Sequence, residues 1–479
     1  MGNATYPFNY LSDDQCEMVY QAALDILEKT GCKVMYDPAL DLLRNAGCTI
    51  DGQQVKIPRS LVESARETAP KEIVVYNQHR EPAVILNARG DKTYYSPAPD
   101  ALFRLDYKTG ERRVAVSQDS AETAIVCDNL DNIDMVDDLA YPDDCPQEVA
   151  TILQLRNLLE NSSKPCFVNT FSRATVDYQL QLNYTGAGSK EAFLEKPSAM
   201  CGIPAKPPLC HTPTELETFL YLNKLGVPCF YNSSVSLGTT SPVTIAGAYA
   251  VALSDVLVGL VISQLAQAGA KFVGAIYTDP ADMRTLSIKH SGPEFLKSSI
   301  GSISIFRYLN IPYIVHDCAT DSPALDVQAI GDITAGIMLA EMNKVNLNFF
   351  IGFIETAMSS SLEALVYADE MIDYARALFT PIPVNDDTIG KDTIEQVGPG
   401  GNFIAQEHTL EYMRDFCPQK NFQTMNYNAW KAQGSKTMQQ RLSEKVAELV
   451  EKGPRYPLTP EVTEKLESIF ADAKKELIG

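Results

Sequence analysis

At 479 residues, with 45% hydrophobic and 21% charged residues, the chain has enough apolar sequence for a large core and an ordinary globular balance. Its formal net charge of −21 argues against the sequence-independent nucleic-acid binding that relies on Lys and Arg to neutralise phosphates. Eleven scattered cysteines without a C-x-x-C pair read as reduced thiols, and residues 1–11 carry no basic start followed by an apolar run, so a cytoplasmic protein is expected.

In chain order, Ser12-Asp13-Asp14-Gln15 is a capping-box pattern that opens an amphipathic helix through Cys16, Val19, Tyr20, Ala23, Leu24 and Leu27, ending at Gly31. A second helix is expected from Asp37-Pro38 to Gly47 and a third from Pro58 to Pro70, making residues 1–75 an N-terminal helical layer.

Short apolar runs then alternate with helical stretches. Candidate strands lie near Thr93 to Ser96 and Asn132 to Val136, then at Cys166 to Asn169, Ala199 to Gly202, Cys229 to Asn232, Phe272 to Tyr277, Pro312 to His316 and Leu347 to Ile351. Eight such units predict an α/β fold, a parallel (β/α)8 or TIM barrel, over residues 76–400. No G-x-G-x-x-G follows any strand, which speaks against an open dinucleotide-binding sheet.

Thr212-Pro213-Thr214-Glu215 is expected to cap one intervening helix, which ends near Gly226. The apolar stretch from Pro242 to Ala270 has the length of a membrane span, but Ser254, Asp255, Gln264 and Gln267 interrupt it and make it a buried barrel helix, so no membrane partner is expected. Beyond Pro381, Pro383 and the Gly398-Pro399-Gly400-Gly401 turn, two polar helices are expected near Ser435 to Lys452 and Thr459 to Leu477. They belong to a C-terminal extension, residues 401–479, packed on the barrel.

Active sites of parallel barrels form where the strands end, so the polar residues closing each apolar run are the first candidates. These are Asn169, Cys201, Asn232, Tyr277, His316, Asp317 and Glu355. Each has a plainer alternative: an Asn that serves loop backbone, a His bonded to a carbonyl, a Glu that caps the next helix, an inert buried thiol. Tyr94, Tyr95, Tyr231, Tyr277 and Phe353 also lie near strand ends, where aromatic faces can hold a cation or simply fill the core. His316-Asp317-Cys318, with Cys417 as a distant third ligand, is a loose zinc pattern; no metal site is assigned to it.

Several segments carry a family resemblance. Ala23 to Gly31, Ile57 to Val62, Ser241 to Ala248, Asp326 to Ala329, and above all Val397-Gly398-Pro399-Gly400-Gly401-Asn402-Phe403 with Glu407-His408-Thr409, are similar to the trimethylamine methyltransferase family. The resemblance implies an α/β barrel enzyme that moves a methyl group from a methylated amine to the Co(I) corrinoid of a cognate partner protein. The trimethylamine-specific members carry pyrrolysine, for which the segment Asp317 to Gln328 is the expected equivalent; here every residue is an ordinary one.

The chain therefore resembles the non-pyrrolysine members, whose substrates are quaternary amines such as glycine betaine, proline betaine, carnitine and γ-butyrobetaine. The resemblance further implies a homo-oligomer with no tightly bound cofactor of its own, and a separate enzyme that passes the methyl group to tetrahydrofolate or a thiol coenzyme. On this reading Glu355 and Asp317 support the ammonium electrostatically, Tyr95, Tyr231, Tyr277 and Phe353 form its cage, and Asn232 and His316 orient the substrate. His316, Arg307 and His408 are candidates for a substrate carboxylate. A zinc-dependent methyltransferase with a thiol acceptor and a non-catalytic betaine sensor are the alternatives.

Overall fold

The computed structural model describes residues 10–170, 172–285, 287–416 and 420–479. The first helix, Asp13–Asp25, is closed at its start by the reciprocal Ser12 and Gln15 capping box and continues as one wider turn to Thr30 before Gly31 ends it. Helices Asp37–Asn45 and Arg59–Thr68 follow as expected, but the layer also contains a small sheet. In it Cys32–Val34 pairs antiparallel with Gln54–Lys56 and parallel with Cys210–His211.

The barrel closes on itself. Strands Cys166–Asn169, Ala199–Pro204, Cys229–Ser236 and Phe272–Asp279 run parallel in that order, and Gly274 bridges to Tyr313 beside the next strand, Ile314–Val315. Leu347–Ile351 pairs with both Ile314–Val315 and Tyr94–Pro97. The ring is completed by segment 133–136, where the Asp134 N–H donates to Tyr95 O at 2.8 Å and Val136 bridges to Cys166. Each position coincides with an apolar run read from the sequence.

Because side chains alternate along a strand, each run splits between two cores. Phe167, Met200, Phe230, Val273, Tyr277, Ile314, Leu347 and Phe349 fill the lumen. Their neighbours Val168, Cys201, Tyr231 and Val315 face the surrounding helices. The antiparallel hairpin Glu72–Tyr76 and Pro82–Asn87 plugs the N-terminal end of the barrel: Ile73, Val75, Val84 and Leu86 join the lumen cluster, and the Tyr76 N–H donates to Pro197 O. Burying four such side chains stabilises that end by roughly 1.5–3 kcal/mol each and closes it to a ligand.

Helix Ile245–Ala266 is long and apolar enough to cross a membrane, but 78% of its apolar window is buried inside this protein. It packs between two barrel strands and the N-terminal helices. Gly259 lies on it at the ring of Tyr231, where a Cβ would come within 2.5 Å of the ring, so the helix and Tyr231 are locked face to face. Helix Pro213–Leu225 ends at Gly226 in the left-handed conformation, while Thr212 gives its hydroxyl to the Glu215 carboxylate instead of capping the backbone. The C-terminal helices Met438–Lys452 and Pro460–Leu477 pack on the outside of the barrel helices.

Candidate active site

Two adjacent strands supply the centre of the mouth. Tyr277 and Asp279 share the lumen face of Phe272–Asp279, and His316 follows Ile314 on the same face of the next strand. His316 Nε2 meets Asp279 Oδ1 at 2.9 Å, the Ser234 hydroxyl donates to Asp279 Oδ2 at 3.0 Å, and the His316 and Tyr277 rings lie 4.0 Å apart. Burial pushes the Asp279 carboxyl up, but the His316 hydrogen bond and charge, with help from His290 and Ser234, outweigh it and hold the group below its ordinary value.

An irregularity in Leu347–Ile351 adds the third wall. The register shifts between Asn348 and Ile351, Phe350 takes a φ of +75° and Gly352 one of +95°. Phe349 and Phe350 therefore both reach the lumen side: Phe350 packs at 5.1 Å from His316, 6.2 Å from Tyr277 and 5.0 Å from Phe353. Phe295, from the start of helix Pro293–Leu309, closes the far side of His316 at 5.0 Å.

His290 comes from the loop after Phe272–Asp279. Its backbone N–H and the Ser291 hydroxyl both donate to Asp321 at 2.8 Å, and Thr356 donates to the same carboxylate, so one side chain staples three mouth loops together. The His290 ring lies 6.1 Å from His316 and 5.8 Å from Phe350. Burial, partly offset by the Asp279 charge, lowers its tendency to protonate.

Among the described residues, three buried polar atoms in this aromatic box have no hydrogen-bond partner: Tyr277 Oη, His290 Nδ1 and His316 Nδ1. Buried polar atoms are normally paired, so the box is shaped for a ligand or ordered water that supplies acceptors or donors. The adjoining lumen face carries Asn232, between Phe230 and Ser234, and Asn169, whose side-chain nitrogen is also unpartnered.

The structure thus brings together His316, Tyr277, Phe353 and, one strand away, Asn232. It places four other candidates elsewhere. Tyr95 points into the helical layer, donating to Glu341 at 3.1 Å beneath the Arg376 guanidinium. Tyr231 points outward as well and meets His211 Nδ1 at 2.6 Å. Asp317, next to the inward His316, faces outward towards Ser299, and burial pushes its carboxyl up to about 6. Glu355 lies at the rim, paired with Arg112 at 2.7 Å and accepting from Ser359; burial raises its carboxyl and these partners more than compensate.

The remaining candidates also separate. Arg307 donates to the Asn343 and Lys344 carbonyls in the helical layer, and His408 meets Asp387 O at 3.0 Å on a distant surface segment. Burial, then the charges of Asp317 and Glu341, pushes the Cys318 thiol well up; burial raises Cys201 to about 12. Cys417 lies outside the described residues. Asp279, His290, Phe295 and Phe350 are not among the site candidates read from the sequence. A longer strand would have offered Asp279, and the small number of histidines, five, would have offered His290.

Around the mouth, the loops that follow the strands expose Leu102, Val243, Met283, Ile288, Val327 and Met358, with Val327 91% exposed. Apolar side chains so placed form a rim suited to another protein surface.

A closed parallel barrel with an aromatic, imidazole-bearing pocket where the strands end defines a β/α-barrel protein with a site at its mouth. Comparison with known proteins places it further. The family model described as trimethylamine methyltransferase matches residues 1–479. A trimethylamine methyltransferase of Desulfitobacterium hafniense is 27% identical over 97% of this chain and 94% of its own length. A glycine betaine methyltransferase of the same species is 26% identical over 100% of this chain and 99% of its own. Among solved structures, the Methanosarcina barkeri monomethylamine methyltransferase aligns over 99% of this chain and 89% of its own, with 10% identity and a TM-score of 0.48. The chain belongs to the trimethylamine methyltransferase family.

Proposed function

We propose that the protein demethylates a quaternary amine bearing a carboxylate, such as glycine betaine, proline betaine, carnitine or γ-butyrobetaine, and passes the methyl group to the corrinoid of a partner protein. Family membership and a full-length relative named for glycine betaine support the reaction class. The observation that carries the choice of substrate is the set of unpartnered buried atoms, Tyr277 Oη, His290 Nδ1 and His316 Nδ1, inside an aromatic box. A quaternary nitrogen has neither N–H nor lone pair and cannot satisfy them. A carboxylate on the same molecule accepts from the tyrosine hydroxyl and from any imidazole N–H turned towards it.

The division of labour follows. The faces of Tyr277, Phe350 and Phe353 and the buried Asp279 carboxylate hold the ammonium, while Tyr277 Oη, His290 and His316 fix the other end of the zwitterion. Asn232 adds a polar contact on the lumen face. The reduced corrinoid supplies the nucleophile for the methyl carbon. When the C–N bond breaks, its electron pair stays on nitrogen and the product leaves as a neutral tertiary amine, so no general acid is needed. What the residues contribute is aim, charge complementarity and exclusion of water by the aromatic walls. The apolar rim fits the docking of a corrinoid protein over the mouth.

The test is methyl transfer to a corrinoid protein reduced to Co(I), followed by absorbance, with the four betaines, trimethylamine and tetramethylammonium as substrates. A response to one carboxylated amine, and none to tetramethylammonium, is expected. A response to trimethylamine alone, or to no compound with several corrinoid proteins, overturns the proposal.

A further inference from the structure

Helices Gln147–Asn161 and Arg173–Gly186 pack on each other and meet the end of strand Cys166–Asn169. Between them lies a cavity of about 10 Å³, room for a single water-sized atom. Its polar lining is Asp138, Thr151, Gln154, Asn169 and Gln179, and all of these but Asn169 are buried.

The two glutamines are held so that their oxygens are left over. Gln154 Nε2 donates to Asp100 Oδ1 and to Ala140 O, both at 3.0 Å, and Gln179 Nε2 donates to Asn169 O at 2.8 Å and to Thr151 O at 3.4 Å. Turning either amide over would set oxygen against oxygen, so the orientation of each is fixed by its own hydrogen bonds. Gln154 Oε1 and Gln179 Oε1 are then buried without a partner, in residues that line the same cavity. Such oxygens are normally paired, and what they lack is a donor or a cation.

Asp138 is the acidic wall, and it belongs to a group of three carboxyls. The Asp100 N–H donates to Asp138 Oδ1 at 2.8 Å, and the Asp137 and Asp138 side chains meet each other. Among the described residues, no Lys, Arg or His forms an ion pair with any of the three. Burial pushes all three carboxyls up, Asp100 to about 6, and for Asp137 and Asp138 the charges of their neighbours add to it.

One water would donate to both amide oxygens but leave these carboxylates without a counter-charge, which is costly in a buried place. Mg²⁺ keeps several waters and Ca²⁺ takes roughly six to eight oxygens, more than the cavity holds. An alkali cation accepts carbonyl oxygens in place of its hydration shell, and one carboxylate balances its charge.

We propose that the cavity binds one sodium or potassium ion through Asp138 and the side-chain oxygens of Gln154 and Gln179, with Asp100 and Asp137 adding negative charge behind them. The ion ties both helices to three loops of the mouth, those that follow Tyr94–Pro97, segment 133–136 and Cys166–Asn169, because the same glutamines hold Asp100, the Ala140 carbonyl and the Asn169 carbonyl. It fixes one side of the mouth without touching the substrate, and the inference does not depend on which amine is demethylated.

Thermal unfolding of the full chain is compared in potassium, sodium and N-methylglucamine chloride at about 100 mM. A Tm higher by about 2 °C or more in an alkali chloride than in the organic-cation salt is expected, and Asp138→Asn abolishes the difference. Crystals of the unchanged chain soaked in a rubidium or thallium(I) salt provide a second measurement that needs no variant: an anomalous peak among Asp138, Gln154 and Gln179 is expected. Equal Tm in the three salts, a difference that survives in Asp138→Asn, or a cavity with water density and no anomalous peak overturns the proposal. So does stabilisation by calcium or magnesium alone, which assigns the cavity to a divalent ion.

Discussion

Among the described residues, two buried His–Asp pairs stand on barrel strands and their surroundings, and they behave oppositely. At the mouth, His316 and Asp279 meet at 2.9 Å, Asp279 is held below its ordinary carboxylate value, and His316 keeps one nitrogen free towards the aromatic box. In the helical layer, His211 Nε2 and Asp255 Oδ1 stand 3.6 Å apart, too far for a good hydrogen bond, while Tyr231 occupies His211 Nδ1 and Ser233 donates to Asp255 at 2.8 Å. There burial dominates: it lowers His211 to about 3 and raises Asp255 to about 7, so between these values the pair carries no charge. Tyr231 and His211 tie the small N-terminal sheet to the barrel wall. The same residue types become a pair that lines the mouth or a structural knot according to which face of the sheet they occupy.

The largest effect expected from breaking this contrast is at the mouth. Asp279→Asn removes the charged partner of His316 and the counter-charge for the ammonium, worth about 3 kcal/mol, and lowers kcat/KM for methyl transfer by about 100-fold. Steady-state kinetics with the best betaine checks it; a loss below threefold would show that Asp279 has no part in binding or transfer.

The outer pair is sharpened by pH. His211 has an ordinary value of 6.5 and a folded value of about 3, so between these the unfolded chain binds the extra proton and stability is lost as pH falls. Asp255 has an ordinary value of 3.8 and a folded value of about 7, so there the folded chain binds the extra proton and stability is lost as pH rises. The two slopes oppose each other in the wild type. Relative to the wild type, Asp255→Asn loses Tm as pH drops from 6.5 to 4.5, because only the His211 slope of the pair is left. Relative to the wild type, His211→Gln loses Tm as pH rises over the same range. Each difference is at most about 1.4 kcal/mol per pH unit, and differences of one sign in both variants would refute the opposed pair.

The smallest effects separate two tyrosines. Tyr231→Phe leaves His211 Nδ1 unpaired, costs about 1–3 kcal/mol in chemical denaturation and leaves methyl transfer unchanged. Tyr277→Phe removes an already unpartnered hydroxyl, so stability stays within about 0.5 kcal/mol while KM for the carboxylated substrate rises about tenfold. The reverse pattern would exchange the roles assigned to the two rings.

Much of this was legible before the structure. All eight barrel positions coincide with apolar runs, and the Ser12–Gln15 cap and the Gly31 and Gly226 stops form as read. The site was legible only in part. His316, Tyr277 and Asn232, which close apolar runs, and Phe353, an aromatic near a strand end, lie together in the structure; Tyr95 and Tyr231, also aromatics near strand ends, and Asp317, which closes a run, point the other way. Phe350 was hidden by a bulge that breaks the two-residue alternation, and His290 by a loop whose position depends on Asp321.

The sequence by itself determined the order of strands and helices, their caps and stops, and the acidic net charge, because periodicity, turn chemistry and composition act over a few neighbouring residues. Only the tertiary structure decided which face of each strand became the lumen, that Phe349 and Phe350 would both enter it, and that Asp279, His290 and His316 would meet. Those outcomes depend on the closure of the barrel and on contacts between residues tens to hundreds of positions apart, where no local pattern reaches.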